Sequence, residues 1–325
     1  MKHVTVYAEA GIYAGWPANH GAWQWGDEFL VGFLRGKYRR RSMHNVIEPF
    51  ELLQARSMDG GETWRVESTG IPIQMGQVLQ PAPYGDSIIR VRGVYDHGGD
   101  YVAPCGGYYA SQDRGASWAG PFAFCGIEGE FSGALQCTAR TRVLGDLVFL
   151  SKADAACWGT DDVLCVKRLD NGKFDKLGEL PSGDARCVMP AVARVGERIV
   201  AVCRRRKTGR RGGWIEAFAS DDGGHKWRSL GEVGVTGKNN GNPPALIERG
   251  GELVCCYGNR TDCQIVARVS KDLGESWSVP LVLRQGTEPD IGYPQLFKRS
   301  DGGLVCVYYW ASEPMECQNI QASIF

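Results

Sequence analysis

The sequence predicts an all-β protein: a six-bladed β-propeller of four-stranded antiparallel blades, its ring closed by the N-terminal strand. Three observations carry this. One octapeptide pattern recurs four times, a second pattern recurs six times at roughly 50-residue spacing, and 44 Gly accompany 10 Trp and 12 Tyr. Abundant Gly with large aromatics suits many short strands joined by tight turns.

The octapeptide reads S-x-D-x-G-x-x-W. Its copies start at Ser57, Ser111, Ser220 and Ser270, with Asp59, Asp113, Asp222 and Asp272 third and Trp64, Trp118, Trp227 and Trp277 last. The serines are 54, 109 and 50 residues apart, so the middle interval spans two periods and one unit lacks its copy. The chemistry of the pattern is structural. The Asp carboxylate accepts backbone N–H groups and closes a tight turn, the Gly permits positive φ, and the Trp returns into the layer between units. Each copy reads as a hairpin turn between two strands.

The second pattern runs out of phase with the first. It is a small or Pro residue, an apolar stretch, a Gly/Asp turn and a β-rich run. Its copies begin at Trp16-Pro17, Gln80-Pro81, Gln136-Cys137, Met189-Pro190, Pro243-Pro244 and Tyr293-Pro294. In the third unit Asn171-Gly172 replaces the octapeptide as the hairpin turn. Six such units indicate a propeller, whose radial repetition leaves only short protected edges.

The two ends of the chain complete each other. Asn319–Phe325 is a strand that stops where an octapeptide should follow, and Val4-Thr5-Val6-Tyr7 is a strand with no unit of its own. Residues 1–9 are therefore expected to supply the outer strand of unit six. No linker or composition shift interrupts the repeats, so residues 1–325 read as one domain.

Composition narrows the function classes. Lys plus Arg and Asp plus Glu are both 37, which gives no basic surplus for a general nucleic-acid or anionic-membrane binder. No run of 18 apolar residues is present, and the N-terminus alternates like a strand rather than forming an apolar signal core. A cytoplasmic location is the expectation. The 12 Cys include no C-x-x-C pair, and most lie in strand-like runs, among them Cys137, Cys165, Cys203, Cys255, Cys256 and Cys306. They read as buried reduced thiols, with Cys255 and Cys256 facing opposite sides of one strand, and no metal site or cofactor is expected.

In a propeller the loops entering the innermost strands form one mouth, and polar residues around the second pattern are the candidates for chemistry. They are Trp16, His20 and Trp25 in unit one with His44 and Glu48 on its long connection; Arg92, Asp96 and His97 in unit two; and Arg140 in unit three. Unit four supplies Arg186 and the run Arg204-Arg205-Arg206. Unit five supplies Asn242 and Arg260, and unit six supplies Asp290, Tyr293 and Tyr308-Tyr309-Trp310. Arginines converging from several units make an anion site, because guanidinium forks bind carboxylate bidentately and stay charged. Alternation along a strand means that residues 204–206 do not all point inward.

These segments resemble the sialidase (neuraminidase) superfamily with its Asp-box repeats, over essentially the whole chain. The stretches Arg186-Cys-Val-Met-Pro190, Arg204-Arg-Arg206, Asn242-Pro-Pro244, Tyr257-Gly-Asn-Arg260 and Asp290-Ile-Gly-Tyr-Pro294 look like a bacterial sialidase-like branch. The resemblance implies hydrolysis of terminal sialic acids by a Tyr nucleophile assisted by a Glu, with an Asp acid/base and three arginines on the substrate carboxylate. It puts Tyr293 in the place of the nucleophile and Arg205 and Arg260 among the arginines. The family's first arginine is replaced here by Gly15-Trp16-Pro17, and where its acid/base Asp would stand this chain has His44 and Glu48.

The resulting expectation is a sialidase-like glycoside hydrolase acting on an acidic terminal sugar, sialic acid or a uronate. Arg140, Arg205 and Arg260, with Arg186, His20, Asn242 and Trp16, would bind substrate; Tyr293 would attack; His44 or Glu48 would donate the proton. The sequence also admits a polysaccharide lyase using a Tyr/His pair and a non-catalytic glycan-binding propeller.

Overall fold

The computed structural model describes residues 1–41, 44–74, 79, 87–93, 106–131, 135–137, 141–154, 161–207, 209, 212–238 and 241–325, the side chains of 135–137, 154 and 161 excepted. Six antiparallel sheets follow one another along the chain. Blade one pairs Ile12–Gly15, Glu28–Tyr38, Val46–Ser57 and Arg65–Ser68, with Ala22–Trp25 added beside Glu28–Tyr38. Blade two has three strands among the described residues: Ile88–Arg92, Gly107–Ser111 and Ala119–Phe122. Blade three pairs Leu135–Cys137, Leu147–Asp154, Asp161–Arg168 and Phe174–Glu179, with Arg142–Leu144 continuing the inner edge. Blade four is Arg186–Val195, Arg198–Arg206, Gly213–Ser220 and Arg228–Gly237. Blade five is Pro244–Arg249, Glu252–Asn259, Gln264–Ser270 and Leu281–Gln285.

Blade six is Gly292–Lys298, Leu304–Trp310 and Asn319–Ile324, and its outer strand is Lys2–Tyr7. Val4 pairs with Ala322 and Lys2 with Ile324 in antiparallel register. The expected closure of the ring by the chain's first strand is thus realised.

The octapeptide turns are built as their chemistry requires. In the first, the Gly61 N–H donates to Ser57 Oγ at 2.8 Å, Ser57 Oγ donates to Asp59 Oδ1 at 2.8 Å, and the Thr63 N–H donates to the same carboxylate at 2.9 Å. The Trp64 indole returns to the Gly61 carbonyl at 3.0 Å. The copies at Ser111, Ser220 and Ser270 repeat the Ser–Asp and Gly–Ser bonds. Blade three turns instead at Asn171-Gly172, where Gly172 has φ 79°. Each box leans on the preceding blade: a Cβ on Gly115 would stand 2.5 Å from Leu30 of blade one, and one on Gly224 would stand 2.8 Å from Cys165 of blade three.

The core consists of apolar layers between blades. Alternation sorts each middle strand: Cys255 packs toward blade four, while Cys256 packs toward blade six beside Cys306. Cys165, Cys187, Cys203, Cys255, Cys256 and Cys306 are buried free thiols. No helix among the described residues is long and apolar enough to cross a membrane.

Candidate functional site

The inner strands of three blades open on an unusual backbone. Trp16, Met189 and Tyr293 each precede a proline, and each adopts left-handed φ, at 57°, 61° and 53°. For a bulky residue this conformation is strained and persists only where surrounding contacts impose it. At Tyr293 the contacts are visible. Asn242 accepts the Tyr293 N–H at 2.7 Å and donates to the Ile291 carbonyl at 2.7 Å. Trp16, Met189 and Tyr293 belong to one apolar cluster with residues of blades one, two, four and six.

A carboxylate sits beside that cluster. Asp290, in the loop entering blade six, is only 8 % exposed. The Tyr309 hydroxyl donates to its Oδ1 at 2.6 Å. Arg260 Nη2 donates to the Tyr309 oxygen at 2.6 Å and to Asp290 Oδ1 at 3.3 Å. His44 Nδ1 stands 3.6 Å from the same oxygen, and the His44 ring meets Trp16 edge-on at 4.9 Å. Asp290 Oδ2 is buried too and meets no hydrogen-bond donor. One carboxylate oxygen is therefore engaged by three groups, and the other by none among the described residues.

The aromatic wall is continuous. Tyr13 packs on Trp16 at 5.1 Å, Tyr293 packs edge-on against Tyr309 at 5.7 Å, and Arg260 lies 5.9 Å from the Tyr293 ring centre. Burial works against the charge of Asp290, but the contact with His44 and the Arg260 guanidinium outweigh it and hold the carboxyl below its usual value. Burial, and after it the Asp290 charge, drives the Tyr13 phenol far above its ordinary range. Burial also raises the Tyr309 phenol strongly, although Arg260 opposes this. Arg260 is raised above the usual guanidinium value despite its burial, because Tyr309 and Asp290 face it.

Of the sequence candidates, Trp16, His44, Arg260, Asp290, Tyr293 and Tyr309 come together here. Asn242 is buried under the site and spends its amide on backbone, so it positions Tyr293 rather than reaching a ligand. Arg205 is elsewhere: it pairs with Glu216 at 3.0 Å and lies over Trp214 and Phe218 within blade four. The cause is alternation, since Arg205 shares its strand face with Cys203 and not with Arg204. Arg204 reaches the Met189 sulfur at 3.5 Å and so adjoins the cluster. Arg186 is buried at the start of the blade-four inner strand, opposite Arg206. His20 is buried at the end of the short helix Pro17–His20. Glu48 is exposed on the strand Val46–Ser57, with no contact to the cluster among the described residues. Arg140, Asp96 and His97 lie outside the described residues.

Sequence reasoning did not single out several contributors. Tyr13 has the alternation of its strand as its only signal. Arg142 of blade three donates to Gln295 Oε1 of blade six at 2.5 Å, and Gln295 donates to the Pro17 carbonyl at 3.0 Å. Blades three and six are opposite in a ring of six, so this chain of bonds spans the axis. Arg39, Arg40 and Arg41, with Ile47, line an open depression of about 450 Å³. Asn45 ties this loop back on itself, its carbonyl accepting the Arg39 N–H and its Oδ1 the Arg41 N–H, both at 3.0 Å.

Radial blades with Asp-box turns and a polar aromatic mouth define the class of protein. The chain belongs to the BNR repeat-like domain family, which matches residues 74–306. Among solved structures it is similar to a Dyadobacter fermentans protein of unknown function, at 19% identity and TM-score 0.72, covering 99% of this chain and 97% of that one. The α-L-arabinanase of Penicillium chrysogenum, solved with arabinobiose, matches at 14% identity and TM-score 0.58 over 100% of this chain and 98% of its own. The NanB sialidase of Streptococcus pneumoniae matches at 10% identity and TM-score 0.61 over 98% and 70%. These likenesses establish a fold that glycoside hydrolases use. No curated protein sequence matches the chain.

Proposed function

We propose that this protein is a glycoside hydrolase acting on a terminal acidic sugar, sialic acid or a uronate. The observation that carries the reading is Asp290, a buried carboxylate with one oxygen fixed by Tyr309 and Arg260 and the other without a donor among the described residues. Such a group accepts a proton or faces the positive charge that develops at an anomeric carbon. In this reading the Tyr293 oxygen attacks the anomeric carbon, its proton passes to Asp290, and His44 protonates the departing glycosidic oxygen. Water, giving a proton to His44, then attacks the anomeric carbon and displaces the Tyr293 oxygen, which takes its proton back from Asp290. Trp16 and Tyr13 supply the apolar wall for the ring. Arg260, Arg204 and Arg186 on one side and the rim Arg39–Arg41 on the other supply positive charge for the sugar carboxylate.

One observation favours a second reading. The Arg260 charge is already met by Asp290, which suits a neutral sugar better than an acidic one. Purified protein offered fluorogenic sialoside, glucuronide and arabinofuranoside, with products read by mass spectrometry, separates the two. Turnover of the sialoside or glucuronide, lost in Asp290→Asn, supports the first reading. Turnover of the arabinofuranoside alone supports the second. Glycan binding without turnover of any would overturn both.

A further inference from the structure

Away from the mouth, blade two carries a buried charge that meets no counter-charge among the described residues. Arg90 lies in the strand Ile88–Arg92 and is 1% exposed. Its neighbours Ile89 and Val91 face blade three, packed with Val148 and Leu150. Alternation turns Arg90 and Arg92 to the other face, toward blade one. There Tyr109, paired directly with Arg90 across the ladder, joins the apolar cluster of blade one. Side chains paired this way stand about 5 Å apart at Cβ.

Arg90, Arg92 and Tyr109 all present N–H or O–H donors to this patch, and of the three only Tyr109 can also accept. Nε, Nη1 and Nη2 of Arg90 meet no hydrogen-bond acceptor among the described residues, and neither does the Tyr109 hydroxyl. Arg92 donates to the carbonyls of Pro72 and Ile73 at 2.9 and 2.7 Å, so it adds charge to the patch and supplies no acceptor. A guanidinium has five N–H donors and no lone pair to offer. Burial, with the repulsion of Arg92 second, lowers Arg90 to about 9, which still leaves it charged at neutral pH. A charge this deeply buried is expensive unless something of opposite sign accompanies it.

We propose that a small monovalent anion of the halide class binds between blades one and two, held by the Arg90 guanidinium and the Tyr109 hydroxyl. The donors select an anion, and the deep burial of Arg90 and Tyr109 selects a small one. The site is structural and independent of the glycosidase reading, since it lies between blades and that reading gives no role to Arg90 or Tyr109.

The test is a thermal melt of the full chain at fixed ionic strength, with sodium gluconate replaced stepwise by sodium chloride or bromide. A saturable rise of the midpoint, on the order of 5 °C, is expected for both halides. Arg90→Met should abolish the halide dependence, and Tyr109→Phe should raise the half-saturating concentration several-fold. A bromide-soaked crystal should show an anomalous peak within hydrogen-bond reach of Arg90, a readout that stands even where the Arg90 variant fails to fold. A midpoint that does not respond to halide, or a crystal without that peak, would overturn the proposal.

Discussion

Tyr309 and Asp290 are joined by a 2.6 Å hydrogen bond at the floor of the propeller mouth, and Arg260 donates to both. The phenol, the carboxylate and the guanidinium come from two adjacent blades, so the arrangement exists only once the ring has assembled. It leaves the unengaged Asp290 oxygen as the natural focus of variants.

Asp290→Asn should keep the fold and remove turnover by at least two orders of magnitude, measured as kcat on whichever glycoside is cleaved. The pH dependence has a definite sign. The folded carboxyl is held below its ordinary value of 3.8, so its stabilising contribution is full above that value and is lost as pH falls through the lower folded value. Acid unfolding of the native protein should therefore steepen below about pH 4, and the Asn variant should lack that component.

Replacing Arg260 by Met should be costly for stability. It leaves Asp290 buried and without its main counter-charge, a change worth about 3–5 kcal/mol. Urea unfolding reads this directly. A loss below about 1 kcal/mol would mean that Asp290 had simply taken up a proton.

Two tyrosine variants separate fixing a group from reacting with substrate. Tyr309→Phe should lower stability by roughly 1.5–3 kcal/mol, the worth of a hydrogen bond to a charged partner. Tyr293→Phe should leave stability nearly unchanged and cut the rate by several orders of magnitude while binding persists. An unchanged rate in that variant would remove Tyr293 from the role of nucleophile.

Gly115→Ala should destabilise by about 1–3 kcal/mol, because the position has φ 83° and its Cβ would press on Leu30 across the blade interface. Equilibrium unfolding in denaturant checks it.

Deleting residues 1–9 should lower the melting midpoint by on the order of 10 °C or more, since blade six then loses its outer strand and Val6 its buried place. A melt unaffected by the deletion would contradict the closure.

The fold was legible because its signals are local. Ser57, Asp59, Gly61 and Trp64 make one turn with one another, so their spacing is the structure. Closure was legible from the phase of the repeat at the two ends. The site was legible where a residue's place in the repeat decides its position, as for Trp16, His44, Arg260 and Tyr293. It was not legible where one step of alternation decides. Tyr308 packs toward blade five while Tyr309 joins the site, and Arg205 turns to Glu216 while Arg204 reaches Met189. Glu48 falls in the register shift between the Arg35–Glu51 and Lys37–Ile47 pairs, and its side chain is exposed.

The pairing of Lys2 with Ile324 has a bearing on how the molecule is made. The ribosome delivers the earliest strand long before its partner exists. Throughout translation that segment must wait with a bare hydrogen-bonding edge, a ready template for strands of other chains. Asn319–Ile324, made much later, then acts as a latch, and the ring closes only when these two strands meet.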